Sequence, residues 1–247
     1  MGSPVKLYHK QMHTNLGYFA TWLPASIIEL GDVGILESGR FRKVASLKEL
    51  GIPHSDVREG TPEDLNYSAS AKRSTKAAAS VGVPSVHADG GLSIQFTQEG
   101  GFIFEALGMR SVEIADRLSM ANAMVRIYEQ GRWQIEWLVV EAICIAHSAT
   151  IIVSEDSASE VVLTARAGIP AEALPLADPK VGLTISSSTG KFVHVLAASD
   201  LHPLYSCVRV RDPLFFGQPN VVPVRGLASP SGVNALARPA IDDLLDS

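Results

Sequence analysis

The sequence predicts an α+β protein: a twisted, mostly antiparallel central sheet with long amphipathic strands, a few helices packed around it, and a short C-terminal helix. Three observations predict this class. Residues 65–83 alternate between apolar and polar over 19 positions. Residues 137–153 form a second long run rich in Val, Ile and Ala. Between the two, apolar residues recur at three- and four-residue spacing.

The first run carries most of the weight. Leu65, Tyr67, Ala69, Ala71, Ala77, Ala79, Val81 and Val83 occupy odd positions, while Asn66, Ser68, Ser70, Lys72, Ser74, Lys76 and Ser80 occupy even ones. Arg73, Thr75 and Ala78 break the pattern. A period of two is the signature of a half-buried strand. Most strands run to about 5–6 residues, so this one is unusually long.

In chain order, a short strand is expected at Tyr18–Leu23, stopped by Pro24. An apolar stretch, Ile27–Leu36, is punctuated by Gly31, Gly34 and Gly39. Ser46–Gly51 reads as one helical turn closed by glycine, and 53–64 reads as a loop. After the long strand and a turn at 84–91, Leu92, Ile94 and Phe96 alternate with Ser93, Gln95 and Thr97, and Phe102–Phe104 follow. A helix is expected from about Ser111 to Gln130, with Val112, Ala115, Leu118, Ala121, Val125 and Tyr128 on one face and Gly131 ending it. Trp137–Val153 is apolar on both faces in its first half, as in a central strand. An acidic loop, Ser154–Glu160, leads to Val161–Ala167. Strands at Val181–Ile185, Phe192–Ala197 and Leu204–Val210 complete the set.

Composition narrows the function classes. The chain is 46% apolar and 19% charged, with a net charge of −5. That balance argues against nucleic acid as a partner, since neutralising phosphates needs clustered Lys and Arg. Cys144 and Cys207 are the only cysteines; they match no zinc or redox spacing, and a cytosolic origin is expected. No apolar run is long enough for a transmembrane helix. Residues 1–15 carry Lys6, His9, Lys10 and His13 without an apolar core, so no signal peptide is expected.

No constellation carries recognisable chemistry. His9 and His13 stand four apart, but with no third ligand nearby they read as a solvated pair. Asp200-Leu201-His202 and Glu155-Asp156 lack any accompanying nucleophile motif. Gly31, Gly34 and Gly39 lack the spacing of a phosphate loop. No catalytic, cofactor-binding or metal-binding residue is expected. Lys72, Arg73 and Lys76 are either a solvated strand face or a contact for acidic lipid headgroups, and on the cluster alone the first reading is the simpler.

Taken in order, the segments resemble the gasdermin pore-forming domain, in particular its bacterial members. Trp137-Leu138-Val139-Val140-Glu141-Ala142-Ile143 is similar to a strand that follows a helix in that family. The pairs 65–83 with 92–106 and 145–153 with 161–167 fall where the family's membrane-inserting hairpins lie. Leu204–Val210 and Pro213-Leu214-Phe215-Phe216-Gly217 resemble the close of the bacterial pore domain. The lipid-modified cysteine typical near the start of bacterial members has no counterpart before Cys144.

The resemblance implies a pore-forming domain over 1–217, an exposed linker at 218–233 and an autoinhibitory tail at 234–247. It implies Ala77, Ala79, Val81, Leu92, Ile94, Phe96, Ala149, Ile151, Val153, Val161, Leu163 and Ala165 as membrane-facing positions. Lys72, Arg73 and Lys76 would touch headgroups, because Arg73 costs little near the interface. Cleavage is expected around Arg225, Leu227 and Val233, and the tail would hold through Ile241, Leu244 and Leu245. The implied partners are membrane lipids, an activating protease and further copies of the chain in a large homo-oligomer. The implied place is the cytoplasm when intact and the cell inner membrane after cleavage, and the implied outcome is cell death in antiviral defence. A non-enzymatic α+β interaction module is the alternative, and an enzyme of unrecognised class the third.

Overall fold

The structure is a computed structural model, and it describes residues 8–10, 12–13, 16–21, 28–37, 40–54, 57–69, 71–74, 91–156, 158–164, 176–181, 184–212 and 218–224. The described strands are β1 (Phe19–Ala20), β2 (Asp32–Glu37), β3 (Arg40–Ser46), β4 (Val57–Glu59), β5 (Glu63–Ala69), β6 (Ala71–Ser74), β7 (Gly91–Phe96), β8 (Phe102–Ile114), β9 (Leu138–Ser154), β10 (Ser159–Thr164), β11 (Thr184–Thr189), β12 (Phe192–Arg211) and β13 (Asn220–Pro223). One helix, Arg117–Glu129, sits between β8 and β9. The chain is thus α+β with a large antiparallel sheet, the class the alternation predicts.

Nine strands form a larger sheet and four form a smaller one. At the centre of the larger sheet lies β9, 17 residues long. One edge of β9 pairs with β12. Its other edge pairs with β8 over most of its length and with β2 at Leu138 and Val139. Its two faces are also both covered, Ala149, Ile151 and Val153 by one core and Ile152 by another, which is why β9 reads as a near-continuous apolar run. Phe192–Ala197 and Leu204–Val210 belong to a single strand, β12, whose register shifts at three places between Ala198 and Cys207. Those bulges hide its continuity from a strict period of two.

Several elements differ from the sequence reading. The expected helix begins late, because residues 111–114 remain in β8, Ser111–Glu113 opposite β9 and Ile114 opposite Val57 of β4. Asp116 caps it, its Oδ1 accepting the Ser119 N–H at 3.0 Å. Its buried side is Met120, Met124 and Ile127, packed on Val139, Val208 and Val210, while Leu118 is 73% exposed. The alternative stripe was equally periodic, and only the position of the sheet chose between them. Replacing Asp116 with Ala is expected to cost about 1 kcal/mol, read as a lower urea midpoint with an unchanged slope.

His9 and His13 are not solvated. Both are buried in a helical turn under the larger sheet, and His13 Nε2 donates to the Val224 carbonyl at 2.8 Å. The residues beside them, Tyr8 and Met12, pack against Phe102, Phe104, Ala149 and Ile151, so the turn's apolar neighbours carry the two histidines inside. Strand β3 has no counterpart in the sequence reading. Four of its seven residues are exposed and the other three half-buried, so no alternation marks it. Gly34 lies within β2 rather than at a turn. A Cβ there would stand 2.3 Å from the Arg42 carbonyl oxygen, so the pairing with β3 requires glycine.

The linker expected at 218–233 is also shorter on its N-terminal side. Residues 220–223 pair with Val208–Arg211 as β13, and Val224 is buried with its N–H bonded to the Cys207 carbonyl at 2.8 Å. The β-branched Val221, Val222 and Val224 explain why this stretch joins the sheet. Arg225, Leu227 and Val233, and the tail with Ile241, Leu244 and Leu245, lie outside the described residues.

Candidate functional site

The smaller sheet is an outgrowth of the larger one. Within the larger sheet, four strands run side by side in the order β5, β8, β9, β12. The smaller sheet has the order β6, β7, β10, β11. Each strand of the second set is the chain neighbour of its counterpart in the first. The links are Ser70, residues 97–101, the turn between Ser154 and Ser159, and the Gly190–Lys191 pair. All four strands therefore cross one common crease.

The two middle strands cross it without slipping. In the larger sheet Phe102 lies opposite Val153, and in the smaller one Phe96 lies opposite Ser159. Six positions separate the partners on each strand. At the crease itself the Ser154 N–H donates to the Gly101 carbonyl at 2.8 Å, in the same register. On the β5–β6 side, Ala69 lies opposite Phe102 and Ala71 opposite Phe96, so that strand is offset by an even number of residues. An even offset leaves every side chain on its own face.

Burial separates the two halves. Phe102, Phe104, Ala106, Ala149, Ile151 and Val153 share a core with Tyr8 and Met12. Leu92, Ile94, Phe96, Val161 and Leu163 share another with Ile103, Ile152, Leu176 and Val181. The positions expected to face one membrane thus lie in two cores. Ala77, Ala79, Val81, Ala165 and Lys76 lie outside the described residues. On the backbone of β6, Lys72 stands opposite Gln95 and Arg73 opposite Ile94, close to the crease.

The first expected pair, 65–83 with 92–106, is an antiparallel ladder wherever it is described, divided between the sheets. The second pair is corrected. Residues 145–153 do not pair with the described residues 161–164; instead β9 pairs with β8 and β12, whereas β10 pairs with β7 and β11. The turn after β9 turns the chain out of the sheet plane. The Ser154 hydroxyl donates to the Asp156 carbonyl at 2.7 Å and lies 2.7 Å from the Ser159 hydroxyl. Asp156 Oδ2 accepts the Lys191 N–H at 2.6 Å. Beyond the crease, the Ser93 hydroxyl donates to Glu160 on the neighbouring strand.

A segment from the β10–β11 connection covers the face between the sheets. The Thr150 hydroxyl donates to the Leu176 carbonyl at 2.6 Å, and Ala177 N–H points to Glu105 at 3.4 Å. Leu176, Ala177 and Val181 are buried there. Elsewhere, Glu141 is buried beside Arg117 at 3.3 Å and Ser206 at 3.4 Å. Cys207 is its neighbour, and burial, reinforced by the Glu141 charge, pushes that thiol well up. A protonated buried thiol is a weak nucleophile, so this cluster serves to seat the helix on the sheet.

Among the described residues, no helix is long and apolar enough to cross a membrane, and no group of three metal-ligating side chains occurs. Alternation did not show the strand-crossing crease, because each strand reads the same whichever sheet holds it. Gly100-Gly101 and Gly190 lie at it, and in the sequence they mark a turn as well as they mark a crease. Compared with models of known protein families and with curated proteins, the chain matches none.

Proposed function

We propose that the chain is a gasdermin-like, protease-activated pore-forming protein, and that the smaller sheet is its membrane-inserting part. The observation that supports this is the shared strand order across the crease. Strands β6–β7 and β10–β11 make two side-by-side hairpins, each continuing a strand pair or neighbour of the larger sheet. Their apolar positions, Leu92, Ile94, Phe96, Val161 and Leu163, are buried against the rest of the body. Freed from that cover, an amphipathic four-stranded sheet needs a new apolar partner, and a bilayer supplies one.

The arrangement also keeps the acidic turn after β9 from crossing, while Glu172, Asp178 and Lys180 of the β10–β11 connection take its place. Were residues 154–160 the tip of a hairpin, Glu155, Asp156 and Glu160 would have to cross the hydrocarbon at several kcal/mol each. At the crease they stay on the side of entry, at headgroup level, near Lys72 and Arg73. Described, each strand of the smaller sheet has four to six residues. A bilayer strand needs about 9–11, so insertion draws in adjoining residues of both connections.

Dye release from liposomes tests the reading. Protein cut within 225–233 should empty liposomes containing acidic lipid, and sealed liposomes would refute it. Neutralising Lys72, Arg73 and Lys76 together should weaken liposome binding, and added salt should weaken binding by the parent in the same way. Binding indifferent to both changes would return these residues to a solvated strand face.

A further inference from the structure

We infer that the N-terminal turn carrying Tyr8, His9, Met12 and His13 is an acid-sensitive clasp. It holds Val224, the residue that follows β13, onto the larger sheet, and lets it go when His9 takes up a proton. The inference stands on where the two ends of the chain meet and does not require the pore-forming reading.

The turn is buried along two adjacent stripes. Tyr8 and Met12, four apart, pack on Phe102, Phe104, Ala149 and Ile151. His9 and His13, also four apart, form the second stripe and are 2% and 5% exposed. The His13 ring lies against that of Phe19, with centroids 4.4 Å apart, and Phe19 pairs with Tyr205 of β12. His13 Nε2 must carry the hydrogen of its 2.8 Å bond, because the Val224 carbonyl can only accept. The Val224 N–H in turn donates to the Cys207 carbonyl at 2.8 Å. Val224 is thus bridged between β12 and the N-terminal turn. Strand β13 itself pairs with β12 alone among the described strands.

His9 is the proton-sensitive part. Its Nε2 has no hydrogen-bond partner among the described residues. A neutral ring can leave one nitrogen bare, but the cation carries a hydrogen on both, and a buried charge with an unpartnered N–H is costly. Arg40 of β3 is the charged group that acts on His9, and it repels the cation, while Lys10 on the turn itself is exposed. Burial and this repulsion lower the pKa from 6.5 to about 4. Between those values the ring is neutral in the closed turn and charged in the open one, so acid favours opening.

His13 supplies the mechanical link. Among the described residues no charged group acts on it: burial lowers its pKa, and the bond to the Val224 carbonyl opposes this. Its own protonation does not break that bond, since the cation still donates from Nε2. Displacement of the turn does break it. The Val224 carbonyl is then buried without a donor, which drives it toward water.

Hydrogen exchange of the intact protein, read amide by amide and corrected for its intrinsic dependence on pH, tests the clasp. Gly17, whose N–H bonds to the His13 carbonyl at 2.9 Å, reports on the turn, and Val224 reports on the C-terminal exit. One imidazole moving between a pKa of about 4 and 6.5 should raise the opening of both about 30-fold from pH 8 to pH 5. Residues 139–150 of β9 should stay better protected than either amide throughout. His9→Gln and His9→Phe should each remove most of the rise at both amides. His13→Leu should keep the rise at Gly17 but leave Val224 open alike at both pH values. A rise at Gly17 that Val224 does not share would overturn the clasp, as would no rise in the parent or a rise that survives the loss of His9. So would Val224 protection unchanged in His13→Leu, or exchange of the two amides no faster than that of β9 at pH 5.

Discussion

Cleavage at a protease site placed between Leu227 and Val233 is expected to turn a protein that leaves liposomes sealed into one that empties them. Arg238-Pro239-Ala240-Ile241-Asp242-Asp243-Leu244-Leu245 has the pattern of a short helix. Proline suits a first turn, where no intrahelical N–H bond is lost, and Asp242 and Asp243 suit the helix dipole. Ile241, Leu244 and Leu245 make one apolar stripe. A helix this short is unstable alone, so its stripe is expected to dock on the body. Burying three such side chains stabilises the closed form by several kcal/mol before ordering costs, at about 1.5–3 kcal/mol each.

The described chain leads into that tail at Val224, fixed by its bonds to Cys207 and His13. A cut beyond this point removes the tail without disturbing β13. The double variant Leu244→Ser/Leu245→Ser should therefore release dye with no cut at all. Cut protein that stays monomeric, with liposomes sealed, would end the proposal of an autoinhibitory tail.

Acid is expected to weaken the fold by about 3 kcal/mol through His9 alone. Burial of the ring, aided by the nearby Arg40 charge, lowers its pKa from 6.5 to about 4. Its Nε2 has no hydrogen-bond partner among the described residues. Since the folded pKa lies below the unfolded one, the unfolded chain takes up a proton that the folded one refuses. Stability is therefore full above about pH 6.5 and falls until about pH 4, then levels off, at about 1.4 kcal/mol per unit. For His13 the shift has the same direction: burial lowers its pKa, and the bond to the Val224 carbonyl opposes this.

Urea unfolding of the parent and of His9→Gln across this pH range isolates the effect, because the carboxylates titrate in both. The variant should lose the parent's extra slope between pH 6.5 and 4. Equal slopes would mean that the folded protein accepts the proton on His9. Buried as they are beside Tyr8 and Met12, the two histidines would also make the N-terminal turn the first element that acid loosens.

Local pattern carried a good deal of this molecule. The alternation over 65–74 and 92–96, the apolar run of β9, the helix before it and its stop at Gly131 are all visible in residue order. Each depends on interactions within a few residues, or on a face that must be apolar wherever the partner lies. The boundaries were less legible. Ser111–Ile114 extend β8 because β9 and β4 offer partners; Val112 and Ile114 alternate with Ser111 and Glu113, but so short a run is outweighed by the helical spacing that follows.

What the sequence determined by itself is that this chain is strand-rich and amphipathic, with helical spacing confined to short stretches. Tertiary structure alone decided which strands pair, that four of them cross a common crease, that His9 and His13 lie inside, and that residues 220–223 join the sheet. The physical reason is that a strand leaves its backbone hydrogen bonds unmade until another strand arrives. Its side-chain period states only that one face is apolar. Leu92 and Val161 would show the same alternation against a bilayer as against Ile103 and Ile152, and the pairing of distant strands chose the latter for the folded body.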